Sequence, residues 1–132
     1  MKRWIAAIGV VLGAGLVLSA GDKAPSVEEI MEKAHATKTG LKTKIADEVK
    51  KDSPDWATVQ KQAKEFVSLA EALAKNDPPK GDKKNWLKLS KDYAEQVKDL
   101  EKSAGKKDAK AVTAANQKLN ANCMVCHDAH RE

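Results

Sequence analysis

Aromatic residues are scarce in this 132-residue chain, which has three Trp, one Tyr and one Phe. Past the first twenty residues, runs of β-branched side chains are missing too. No stretch alternates apolar and polar residues with a period of two, so the sequence offers no half-buried strand. Self-similarity at a period of 20 to 50 residues is also absent, which excludes solenoids and propellers. Only two cysteines occur, Cys123 and Cys126, and both fall in one short segment near the C-terminus. The basic excess is small as well. A formal charge of +5 spread over a mixed Lys, Glu and Asp surface is not a nucleic-acid footprint, so no nucleic acid is expected as a partner.

What is abundant is Ala, Lys, Glu and Leu, a composition that points to helix throughout. The first residues read as an address. Met1-Lys2-Arg3 is a positive start, Trp4 to Leu18 an uncharged apolar run, and Ser19-Ala20-Gly21 a small-residue cleavage site. Residues 1–21 are therefore expected to be a signal peptide and 22–132 a single domain, exported to the periplasm. An N-terminal anchor left uncut is the alternative, and only that form would meet a membrane. No cysteine follows the apolar run, which excludes a bacterial lipoprotein anchor. Losing Lys2 and Arg3 with the leader leaves 22 basic against 19 acidic residues, or +3.

Punctuation divides the remainder into four helical segments. The first opens on Ser26 with Glu29 three residues later, a capping-box pair, and runs to about Lys51 with Gly40 as a point of bending or breakage. Its apolar positions are Val27, Ile30, Met31, Ala34, Leu41, Ile45 and Val49. The second opens at Ser53-Pro54-Asp55, with the serine as cap and the proline in the first turn. It presents Trp56, Val59, Ala63, Phe66, Val67, Ala70 and Leu73, and Asn76-Asp77-Pro78-Pro79 ends it. The third starts near Asp82, shows Trp86, Leu89, Tyr93, Val97 and Leu100, and stops around Gly105. The fourth runs from about Asp108 through Val112, Ala115 and Leu119 to the C-terminal motif. Four amphipathic helices with short turns make an all-α, antiparallel four-helix bundle the simplest architecture.

The motif is Cys123-Met124-Val125-Cys126-His127, which reads as a c-type haem attachment site. There each thiol adds to a haem vinyl group and the adjacent imidazole takes one axial position on the iron. On a helix, positions i, i+3 and i+4 share a side, so Cys123, Cys126 and His127 converge while Met124 and Val125 point elsewhere. Other chemistries use similar residues. A redox dithiol is activated at a helix N-terminus, whereas this pair sits at the end of the last helix. A zinc-binding structural domain would take His130 as a fourth ligand. A disulfide would close a strained ring across two residues. Export and haem attachment support each other, because covalent attachment is completed outside the bacterial cytoplasm on reduced thiols.

An exported chain of this length with C-x-x-C-H in the last of four helices resembles the class II cytochromes c, the high-spin cytochromes c prime and their low-spin relatives. Cys123 to Arg131 is similar to the family pattern C-x-x-C-H-x-x-aromatic-Arg, with His130 where an aromatic residue is usual. The resemblance implies one covalent haem c with its iron, carried by the C-terminal helix: thioethers on Cys123 and Cys126, His127 as the proximal ligand, and Arg131 near the haem edge. In the family's low-spin members a methionine from the first helix reaches the iron on the other axial face, and Met31 stands at about that distance from the mature N-terminus. His35 lies four residues on, on the same face. The distal position is thus expected to hold Met31, to hold His35, or to stay open.

The expected function is one-electron transfer to and from redox partner proteins, without enzymatic catalysis. An open iron would instead bind small gases such as nitric oxide or carbon monoxide. Family members often form homodimers through the first two helices. Trp56, Phe66, Trp86 and Tyr93 read as core anchors, and His130 as an exposed or propionate-contacting residue. Lysine clusters at Lys80, Lys83, Lys84 and Lys88 and at Lys102, Lys106, Lys107 and Lys110 read as solvated helix faces or as steering charge for an acidic redox partner.

Overall fold

Ser26 starts the first helix as its sequence dictates: its hydroxyl accepts from the Glu29 backbone N–H at 3.2 Å, and the Glu29 carboxylate accepts from the Ser26 N–H at 3.3 Å. The computed structural model describes residues 24–132, so the leader reading lies outside the described residues. Five helices follow: α1 (Val27–His35), α2 (Leu41–Val49), α3 (Trp56–Leu73), α4 (Lys83–Gly105) and α5 (Ala109–His130). There is no strand among the described residues, and no helix among them is long and apolar enough to cross a membrane.

The first expected helix is two. α1 ends at His35, and the chain passes through Ala36–Thr39 before Gly40 caps α2. Gly40 sits here because of close approach. A Cβ on it would meet the backbone of Ala36 at 2.6 Å and the carbonyl oxygen of Ala34 at 2.8 Å. The start of α3 also differs from expectation. The cap is Asp55, whose carboxylate accepts from both the Thr58 N–H and the Thr58 hydroxyl, leaving Ser53 and Pro54 outside the helix. Asp82 and Asp108 cap α4 and α5 in the same way.

α4 packs along both α3 and α5, α2 bridges α3 and α5, and α1 lies on α2 and α3. α1 makes no close backbone contact with α5. The core between them comprises Ile30, Ile45, Val59, Phe66, Val97 and Leu119, all fully buried, with Trp86 and Tyr93 nearly so. Trp56 and Val67, read as inward, are only half-buried, while Leu69 and Ala72 complete the inner face of α3. The interruption between α1 and α2 has a structural result. α2 closes onto α5, and α1 diverges from it, leaving an open space between α1 and the C-terminal end of α5.

Candidate functional site

α5 carries Cys123, Cys126 and His127, all half-buried, in its last turns. Met124 and Val125 between them are 62 % and 54 % exposed, as helical geometry requires if the other three face inward. The cysteines are free thiols. Burial pushes the Cys123 thiol up, with Lys42 opposing, and burial followed by the neighbouring Cys123 pushes Cys126 up. An activated redox dithiol needs the reverse shift.

The space between α1 and α5 is a groove of about 970 Å³, at the upper end of the roughly 300–1,000 Å³ found for small-molecule and cofactor sites. Met31 and His35 line it from α1, Cys126, His127 and Arg131 from α5, and Trp86 from α4. A smaller adjoining pocket joins Cys123, Cys126 and His127 to Met31, Leu89 and Tyr93. Every residue singled out in the sequence as a thioether, proximal, distal or edge candidate therefore borders one continuous site. Arg131 is exposed at its rim.

The two distal candidates differ in how they are held. His35 is tied down: its Nε2 lies 2.6 Å from the Tyr93 hydroxyl, and its ring meets Phe66 edge-on at 5.6 Å and Tyr93 at 5.8 Å. Burial, with Lys42 and His127 adding positive charge nearby, lowers its pKa to about 4. A neutral imidazole is the result, with one nitrogen committed to Tyr93. Burial, and then the two cysteines, push Tyr93 far up, so the phenol keeps its proton. Met31 is half-buried against the core and lines both the groove and the adjoining pocket.

His130 corrects the sequence reading. It is 2 % exposed, so it is not a solvent-facing residue, and it lines the groove alongside Cys126 and His127. Its Nδ1 lies 2.8 Å from the Lys80 carbonyl oxygen and its Nε2 2.9 Å from the Asn85 side-chain oxygen, with Trp86 edge-on at 5.2 Å. The ring's own proton serves one contact, and the Asn85 carboxamide turned over would supply the other. Among the described residues, no three His, Cys, Asp or Glu side chains are assembled to hold a metal ion, so the zinc ligand set does not converge here. Sequence reasoning did not foresee the Tyr93–His35 bond. Tyr93 shows only the spacing of a core position, and its partner lies 58 residues away.

The site's donor set fits a covalent haem: two reduced, non-disulfide thiols and an imidazole at i, i+3 and i+4, facing a groove whose far wall carries a thioether. No family model, curated protein or solved structure matches this chain.

Proposed function

We propose that this protein is an exported mono-haem c-type cytochrome acting as a one-electron carrier. Its architecture would be an antiparallel four-helix bundle in which α1 and α2 together form the first, broken helix. The observation that carries the reading is the convergence of Cys126, His127 and Met31, from two helices with no close backbone contact, on one groove of cofactor size, with Cys123 lining the small pocket beside it. Bound haem supplies a single reversible electron at its iron.

The chain's residues do the rest. Cys123 and Cys126 would hold the haem through thioethers, for which both thiols must be reduced. His127 would ligate its iron, with Met31 as the second ligand, favoured over His35 because the Tyr93 hydroxyl already holds His35 Nε2. Imidazole and thioether ligands would favour the reduced iron and suit electron transfer. Leu73, Leu89 and Trp86 line the cavity walls and limit water. Arg131 lies at the rim of the groove beside the exposed carboxylates Glu28 and Glu132, and the exposed Lys80, Lys84 and Lys88 on the adjoining loop and α4 would supply any steering charge for an acidic redox partner.

The test is the visible spectrum of the exported protein, ferric and ferrous, with and without carbon monoxide, together with a pyridine haemochrome assay. Sharp ferrous bands, a weak far-red ferric band and no response to the gas are expected. Absence of covalent haem would overturn the reading, and broad high-spin bands that shift with carbon monoxide would move the function to gas binding.

A further inference from the structure

The loop between α3 and α4 touches both walls of the groove. At one end Asn76 donates its side-chain amide to the Pro25 carbonyl at 2.9 Å and to the Ala72 carbonyl at 3.1 Å, fastening the start of α1 to the end of α3. The Asn76 carbonyl itself accepts from the Trp86 indole N–H at 2.8 Å. At the other end the loop is seated on α5. His130 bonds the Lys80 carbonyl and the Asn85 side chain, and stacks edge-on against the same Trp86. Gly81, with φ of 85°, lies so close that a Cβ would meet the Ala129 carbonyl oxygen at 2.7 Å and His130 Nδ1 at 3.0 Å. Only glycine takes that conformation and that proximity without strain.

His130, three residues past His127, thus holds the loop by hydrogen bonds at Lys80 and Asn85 and by an edge-on ring contact at Trp86, and the loop is bonded in turn through Asn76 to Pro25, six residues before Met31. α1 has no close backbone contact with α5 to do the same. Resting on the ligand assignment above, we infer that this strap sets the spacing of the two walls, and that His130 and Asn76 are positioning residues for the Met31–iron bond. Neither side chain is itself an axial ligand. The strap acts by limiting how far α1 swings from α5, and so how often Met31 leaves the iron.

The experiment compares haem-loaded wild type with Asn76→Ala, His130→Phe, Met31→Ala and Asp55→Ala. The readouts are the far-red ferric band and the rate of carbon monoxide binding to the ferrous form. His130→Phe keeps a ring against Trp86 and removes both polar contacts; Asn76→Ala stands alone should that variant not fold. Losing a hydrogen-bonded link should raise the Met31-free population, and with it the carbon monoxide rate, about three- to tenfold. The double variant should exceed the larger single effect only slightly, because both changes cut one strap. Asp55→Ala removes a helix cap remote from the strap, so it should leave both readouts at wild-type values and separate positioning from general destabilisation. If Met31→Ala opens the iron while Asn76→Ala and His130→Phe match wild type, the strap is overturned and the ligand assignment stands. If Met31→Ala itself matches wild type, the ligand assignment fails and takes the strap with it.

Discussion

His35 is the histidine whose protonation its environment changes most. Its folded pKa of about 4 lies below the ordinary 6.5, so between those values the unfolded chain holds a proton that the folded chain lacks. Stability from this residue is therefore complete above pH 6.5 and is lost as pH falls toward 4, by about 3 kcal/mol at most. The groups facing it are Lys42, His127 and the Tyr93 phenol, which stays protonated across this range. In the haem-free protein the urea midpoint should drop between pH 7 and pH 4.5, and His35→Gln should flatten that slope. An equal slope in the variant would assign the effect elsewhere.

Two further substitutions test single side chains. Tyr93→Phe leaves His35 Nε2 without its partner at a cost of about 1–3 kcal/mol. It also frees that nitrogen to compete with Met31, which in the loaded protein should appear as loss of the far-red band. Cys126→Ala would remove one of the two proposed thioether bonds. Less haem should survive acid–acetone extraction, and full covalent retention would refute the attachment role.

At the scale of elements, glycine and lysine have exchanged expected roles. α4 ends at Gly105 as expected, but that glycine is still helical and a Cβ there would meet nothing within 4 Å. The turn is made two residues later by Lys107, with φ of 55°. There the Lys107 N–H donates to the Ala104 carbonyl and the Asp108 N–H to the Ser103 carbonyl. That pattern is a Schellman motif with lysine in the left-handed position. Lys107→Gly should therefore raise stability by about 0.5–1 kcal/mol, read as an upward shift of the thermal midpoint. Gly40→Ala should do the opposite, by about 1–3 kcal/mol, because its Cβ meets backbone that cannot yield cheaply. Both measurements belong on the haem-free protein, where ligand binding does not mask the change.

On the scale of the whole molecule, the unequal packing of the helices predicts unequal opening. α4 is packed along its length by α3 and α5, whereas α1 rests only on α2 and α3 and borders the groove. Amide exchange in the haem-free protein should be fastest in α1 among the five helices and slowest in α4. Haem loading should slow α1 most, because binding to the native state adds stability to the segment it bridges. Uniform protection gained across all five helices would contradict this account.

The helices, their capping residues and the face shared by Cys123, Cys126 and His127 were legible from sequence because each depends on residues within a turn or two of one another. The same locality explains the misreadings. Ser53 and Asp55 are both competent caps, and in the fold Asp55 takes the Thr58 N–H and hydroxyl while its own N–H donates to Glu48. His130 is bonded to Lys80 and Asn85 across 50 and 45 residues, and His35 to Tyr93 across 58, separations for which spacing gives no signal. Sequence by itself thus determined an all-helical chain with a C-x-x-C-H pattern at its end, and Met31 and His35 on one helical face. Tertiary structure alone decided that α1 diverges from α5 to leave a groove, that His35 is held by a phenol while Met31 faces the site, and that His130 belongs to the scaffold. Backbone hydrogen bonds within a helix are set by neighbours in the chain, but the partner of a buried polar side chain is set by which helices pack together.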